Sequence, residues 1–361
     1  MNKLYSIFTV RFVIILFWIT VIAAFLFSSV LPSYFATPAQ SINVYTWVDI
    51  VDEEAVAAFE KETGIKVHLS YYEHNQELLA KFQLTGGKDY DLVMISDYMI
   101  EFLIHQGLIK PLRKDAFQHW DLIEERLLNH PFDPHNSYSI PLFWDLYGIG
   151  YNKKLVGQQG LPVRSWQLIF DPAFANQRIS MVDEANEAIM IAAQYLYGNV
   201  MQLSPEQQEA VKKLLIEQKP RVEAYTDLRA GYLLLSGAIS MAVGQSAFVC
   251  KAIEADPATF GFMVPDEGSF MVIDSMVIPA ASTKDALVYQ FINFIFAREI
   301  MRKVINKFAY LPVRTDLLQE MHLACVGNAQ QIIDYLKKAK LFVPIISREA
   351  ISHLWMEVKA Y

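Results

Sequence analysis

The sequence predicts an α/β protein of two bodies joined by ordered crossing strands. From Ile42 onward, short apolar runs alternate with helical stretches, the order that lays helices on a sheet. The chain has 361 residues, 53% of them apolar, which is enough for two ordinary domains. It contains no internal repeat and no low-complexity linker, so the two bodies must be connected by ordered chain.

The first body reads element by element. Ile42–Thr46 is a strand, and Asp52–Glu62 a helix with Val56, Ala57 and Phe59 at helical spacing, Asp52 as N-cap and Gly64 closing it. Lys66–Tyr72 is a second strand. Asn75–Leu84 is a helix stopped by Gly86-Gly87, Leu92–Ile95 a buried strand, and Tyr98–Gln106 a helix ended by Gly107. After Ser139-Ile140-Pro141 the second body begins, with helices at Glu187–Leu196, Pro205–Gln218, Asp227–Leu235 and Ser246–Ala255. Strands fall between them at Ile179–Met181, Ile239–Val243 and Gly261–Val264. A strand at Ser275–Ile278, a long helical stretch from Lys284 to Phe308, and helices at Asn328–Lys340 and Ile351–Val358 complete the chain.

The 31 basic and 39 acidic residues give a formal charge of −8. The first 40 residues hold Lys3 and Arg11 and no acid, so everything downstream carries −8 − 2 = −10. An acidic body argues against nucleic acid as partner and suits a cationic ligand, although solubility alone also explains a negative surface. Phe12–Leu31 is an uncharged apolar run of 20 residues behind a positive flank, which reads as an export signal. It is long for a cleaved signal, whose core is about 7–15 residues, and matches the roughly 20 of a membrane anchor, so residues 1–40 are a signal peptide or an N-terminal anchor. No cysteine follows the run, which excludes a lipid-anchored form. Cys250 and Cys325 stand 75 apart, as a disulfide or as two buried thiols.

Catalytic patterns fail on inspection, and no enzyme is expected. Gly86-Gly87-Lys88 lacks the earlier glycine of a phosphate loop, since position 82 is Phe82. Gly244-Gln245-Ser246-Ala247-Phe248 ends in Phe where a nucleophile elbow needs Gly, leaving Ser246 as a helix cap. His130, Asp133 and His135 stand among Pro131 and Pro134 in an irregular loop that is a poor metal cage. No cofactor or metal is implied.

One ordered set of segments does carry a signal. Trp47-Val48-Asp49 follows a strand, and Phe59–Val67 reads FEKETGIKV. Tyr72-Glu73-His74-Asn75, Tyr90-Asp91-Leu92-Val93, Ser96-Asp97-Tyr98, Pro131-Phe132-Asp133-Pro134, Tyr138-Ser139-Ile140-Pro141 and Asp274–Pro279 come next. Over nearly all of residues 42–312 this order resembles the periplasmic spermidine/putrescine-binding proteins of ABC importers. The resemblance implies a two-lobed, type II-like periplasmic binding protein with a ligand cleft between the lobes. One lobe would comprise residues 41–140 plus about 275–311, the other 141–274 plus about 312–361. It further implies a periplasmic location, a permease partner in the inner membrane, and no chemistry done on the ligand.

A polyamine needs carboxylates at fixed places for its ammonium groups and aromatic faces along its methylene chain. By resemblance, one lobe supplies Trp47, Ser96 and Tyr98, the other Glu184 and Glu187, and the crossing strand Asp274. Glu187 also reads as a helix-start carboxylate favoured by the macrodipole, and Trp47 as ordinary core. Asp97 and Asp145 are additional acids, at the cleft or on solvated loop surface, the latter being the reading preferred. Three family aromatics are replaced, by Ile50, Val243 and Val272. The expected function is therefore capture of a spermidine- or putrescine-like amine by lobe closure. The alternatives are another small organic cation or amino-acid-like amine, or a membrane-anchored envelope sensor or adaptor that keeps the fold.

Overall fold

The computed structural model describes residues 16–22, 40–154 and 164–361. Residues 16–22 are helical and exposed, and the rest of the N-terminal apolar run lies outside the described residues. Among the described residues no helix is long and apolar enough to cross a membrane.

The chain opens with β1 (Ser41–Trp47), α1 (Glu53–Thr63), β2 (Lys66–Tyr72), α2 (Asn75–Thr85), β3 (Leu92–Ser96) and α3 (Asp97–His105). Gly64 and Gly86 end α1 and α2 at φ 73° and 63°, left-handed backbone that glycine adopts without a Cβ clash. Asp52 precedes α1 but makes no side-chain cap, because its carboxylate pairs with Lys307.

After an irregular stretch the chain enters β4 (Ser139–Asn152), then α4 (Gln167–Phe170), β5 (Ile179–Met181), α5 (Ala185–Tyr197), α6 (Pro205–Gln218) and β6 (Val222–Tyr225). Next come α7 (Ala230–Leu235), β7 (Met241–Gln245), α8 (Ser246–Ile253), β8 (Phe260–Met263) and β9 (Phe270–Val277). The remainder is α9 (Asp285–Ile295), α10 (Arg298–Phe308), β10 (Leu311–Pro312), α11 (Thr315–Leu318), β11 (His322–Leu323), β12 (Gly327–Asn328), α12 (Ala329–Leu336), β13 (Lys340–Leu341) and α13 (Arg348–Ala360).

The main sheet runs β2-β1-β3-β9-β4-β7-β5-β6. Both outer groups, β2-β1-β3 and β7-β5-β6, are parallel, whereas β9 and β4 at the middle pair antiparallel with each other, β9 with β3 and β4 with β7. Two long central strands thus join two α/β halves without a flexible linker. Their register shifts between Pro141 and Phe143, a bulge that bends the sheet where the halves meet. The apolar packing runs through the sheet's centre, since one buried cluster holds Phe59 and Phe291 together with Leu234 and Val249. Phe59 of α1 meets Phe291 of α9 edge-on at 5.1 Å on one side, while α5, α6 and α13 pack together on the other.

Several sequence expectations shift. The strand expected at 275–278 begins at Phe270, and the helical stretch 284–308 breaks at Phe296-Ala297 into α9 and α10. The ordered crossing expected after Pro141 is the long strand β4, strand β6 was not expected, and the helix expected from Asp227 starts only at Ala230. Cys250 and Cys325 form a disulfide with Cα atoms 5.6 Å apart, so the reading as two buried thiols falls. In the proline-rich loop, Asp133 accepts hydrogen bonds from the backbone N–H groups of Ser137, Tyr138 and Ser139 and from the Ser139 hydroxyl. That is a loop-shaping carboxylate.

Candidate ligand-binding site

The carboxyl ends of the parallel strands face one another across the sheet's centre, where open α/β sheets hold ligands. There β1 delivers Trp47, β3 delivers Ser96 with Tyr98 as the second residue of α3, and the loop after β5 delivers Glu184 and Glu187 at the start of α5. From the other strands come Asp227 beyond β6, Gln245 and Phe248 at the β7–α8 junction, and Asp274 on β9. Together with Asn75 and Tyr310 they line a narrow cavity of about 50 Å³, room for a few water molecules in line.

The lining has one sign of charge. Glu73, Glu184, Glu187, Asp227 and Asp274 reach it, and among the described residues no lysine, arginine or histidine does. Burial raises the Glu187 carboxyl well above its usual range, and the neighbouring Asp227 and Glu184 charges add to the rise. Burial pushes Asp227 up to about 7, with Glu184 and Asp183 adding repulsion. Asp274 is likewise pushed up to about 7 by burial, against a 3.2 Å bond donated by the Ser96 hydroxyl, its cross-strand partner.

Hydrogen bonding is left incomplete around this cluster. Glu187 Oε2, Asp227 Oδ1 and Asn75 Oδ1 are shielded from solvent and accept nothing, and among the described residues lining the cavity the buried unpaired donor is the Trp47 indole N–H. Buried polar atoms are normally partnered, so three idle acceptors against one idle donor call for a ligand rich in donors and positive charge. Rings and aliphatic side chains supply the remaining wall. Trp47 packs on Tyr72 at 4.3 Å between ring centres, and the Tyr98 hydroxyl accepts a short hydrogen bond from Asn75 Nδ2.

Of the residues singled out from sequence, Trp47, Ser96, Tyr98, Glu184, Glu187 and Asp274 all line this cavity. Glu187 is at once a first-turn residue of α5 and a lining residue, so its two readings coincide. Asp97 and Asp145 are neither lining nor solvated surface, being 1% and 0% exposed. Asp97 accepts from the backbone N–H groups of Tyr98 and Ile273, tying α3 to β9. Asp145 accepts from the N–H groups of Leu146 and Ala247 and from the Ser246 hydroxyl, anchoring the start of α8. Both carboxyls are raised by burial, Asp145 to about 7.

The replaced aromatics also sort out. Val243 and Val272 are core residues away from the cavity, whereas Ile50 does line it. Phe248 and Tyr310 bring rings that the sequence reading missed. Asp227 was missed because the Pro220-bounded strand β6 was not recognised, which hid that Asp227 follows a strand end.

Residues 54–324 match the family model of the bacterial extracellular solute-binding proteins. The chain belongs to that family. This solute-binding protein is 27% identical over 277 residues to the spermidine/putrescine-binding periplasmic protein of Salmonella typhimurium, covering 76% of this chain and 78% of the relative. It is 28% identical over 365 residues to the putrescine-binding periplasmic protein SpuD of Pseudomonas aeruginosa, covering 94% and 98%. Among solved structures, the Tp0655 (TpPotD) lipoprotein of Treponema pallidum superposes with a TM-score of 0.77 at 21% identity, over 88% of this chain and 99% of that one. PotD from Streptococcus pneumoniae gives 0.74 at 24% identity over 89% and 99%. These likenesses make the fold that of a two-lobed solute-binding protein.

Proposed function

We propose that this chain is the substrate-capturing subunit of an ABC importer for a small aliphatic polyamine. The observation that carries the reading is the acid-lined cavity whose buried acceptors, on Glu187, Asp227 and Asn75, have no donor. An ammonium group offers three N–H donors and one positive charge, which meets that need. Asp274 with Ser96 forms a second acidic point, and Trp47, Tyr98, Phe248 and Tyr310 offer faces for the methylene chain between. The names of the relatives support the same class of ligand.

The narrowness of the cavity favours a diamine of putrescine's size. Ile50 in the wall favours an aliphatic body over an extended ring stack, and keeps a second reading in view, a different small organic cation such as agmatine. In this proposal residues 41–140 with about 275–311 form one lobe and 141–274 with about 312–361 the other, β4 and β9 being the crossings. The isolated bridge between Ile123 and Arg314 crosses that division. Closure brings both lobes onto the ligand, which binds the closed state better and shifts the population toward it. The apolar run at residues 12–31 supports a body outside the cytoplasm, tethered to the inner membrane if the run is retained.

A thermal-shift panel of putrescine, cadaverine, spermidine, agmatine and basic amino acids tests the reading. A ligand of the native state raises stability by RT ln(1 + [L]/Kd), about 2.7 kcal/mol at a hundredfold excess over Kd. No shift with any cationic amine would overturn the proposal.

A further inference from the structure

The carboxylates at the start of α5 are not used alike. Glu187 Oε2 and Asp227 Oδ1 accept nothing, while both oxygens of Glu184 are engaged. Glu184 Oε1 accepts from the Asn75 backbone N–H at 3.1 Å, and Oε2 from Gln76 Nε2 at 3.3 Å. Asn75 and Gln76 open α2, whose N–H groups lack partners within the helix and whose dipole favours a carboxylate. His74, the residue before α2, makes no side-chain cap there, and its Nδ1 lies 4.0 Å from Glu184 Oε1. Glu184 therefore caps a helix that is not its own.

The position of that helix gives the contact its meaning. Helix α2 follows β2, one edge of the main sheet, and Glu184 follows β5, next to the other edge. The bond spans 109 residues of sequence and joins the two halves across the mouth of the cleft. A second contact crosses the same seam, where the Arg348 guanidinium at the start of α13 lies 4.3 Å from the centre of the Phe102 ring on α3. The Arg348 guanidinium also donates to Met99 Sδ on α3 at 4.0 Å, so its described contacts there are an aromatic face and a thioether.

We infer that Glu184 is a closure latch, a positioning residue that holds the halves together by capping α2, with the Arg348–Phe102 stack as a second strap, and that it is not an ammonium partner of the ligand. This rests on the polyamine reading for its ligand but not for its contacts. A latch needs an acceptor at position 184 and little of the charge. An ammonium site needs the charge itself.

The test is putrescine affinity by calorimetry together with small-angle scattering of the whole exported chain, for wild type, E184Q, E184A, R348A and E187Q. The latch predicts that E184Q stays within about threefold of wild type, since a glutamine oxygen still accepts from Asn75. E184A is expected to weaken binding about tenfold to a hundredfold, the range for loss of hydrogen bonds to a charged group, and to keep a larger radius of gyration at saturation. R348A should shift the radius in the same direction by a smaller amount. If E184Q falls as far as E187Q, Glu184 is an ammonium partner and the latch is wrong. If E184A closes like wild type, the latch is equally wrong. If E187Q binds putrescine normally while E184A remains open, the ligand assignment fails and the latch stands.

Discussion

Asp274→Asn separates a ligand carboxylate from a structural one, because the two roles move stability and affinity in different directions. Asp274 is 5% exposed, and its one described hydrogen bond comes from the Ser96 hydroxyl. A carboxyl raised in the fold favours the native state when protonated, so its contribution is full below an ordinary 3.8 and is lost as pH rises through about 7. At about 1.36 kcal/mol per pH unit, a rise from 3.8 to about 7 corresponds to at most roughly 4 kcal/mol of strain carried by the empty protein at pH 8. Asparagine keeps an acceptor for Ser96 and removes the buried charge. The variant without ligand should therefore unfold at higher temperature than wild type at pH 8, with the gain vanishing by about pH 4. Its affinity for putrescine should fall by about 2–5 kcal/mol, the cost of leaving one member of a desolvated charge pair alone. Thermal unfolding at pH 4, 6 and 8, with and without ligand, reads both effects. A variant that binds normally and is no more stable at pH 8 would refute the reasoning for this residue.

The remaining predictions follow from the same geometry. Since Asp227 and Asp274 titrate near 7 when the cavity is empty, binding a diammonium ligand should release protons. Calorimetric enthalpies at pH 7 should then vary with the ionisation heat of the buffer, and affinity should rise from pH 6 to pH 8; buffer-independent enthalpies would contradict this. Phe248→Ala should weaken amine binding by about 0.5–2 kcal/mol if its ring faces the methylene chain, whereas an affinity equal to wild type would remove it from the site. Replacing Cys250 and Cys325 by serine opens a link between residues 75 apart and should cost about 2–4 kcal/mol in chemical denaturation, with ligand affinity little changed.

What the sequence revealed and what it concealed have distinct physical causes. The units β1 to α3 were legible because each helix is followed by a glycine in left-handed backbone, β3 is a short apolar run and β2 begins with polar and apolar residues in alternation. Strand β4 was legible as a crossing but not as a strand of its full length. It is buried along almost its whole length, so it shows no alternation, and Pro141 near its start reads as a break although it sits beside the bulge. The cavity-lining residues on β1, β3 and β9 were singled out through the ordered resemblance. Asp227, Phe248 and Tyr310 come instead from a strand end, a helix turn and a connection that only meet in three dimensions. Asp97 and Asp145 illustrate the reverse error, since polar composition suggested solvated loops where the fold uses the carboxylates to anchor helix starts.

In the proposed function the same arrangement couples binding to closure. Asp274 is carried by β9, which pairs with β3 on one side and β4 on the other, and β4 continues into the half that bears Glu187 and Asp227. Bending at the β4–β9 bulge changes how far apart the two acidic points stand. With no cation present, drawing Glu187 and Asp227 toward Asp274 concentrates negative charge in a drying cavity, which opposes closure. A ligand with a positive charge at each end reverses that sign and supplies the donors the buried acceptors lack. Contacts such as Glu184 to α2 act in the other direction, favouring the closed form whether or not ligand is present. The balance is then set by charge: the latch brings the halves near closure, and the acidic cavity lets them stay closed only around a cation.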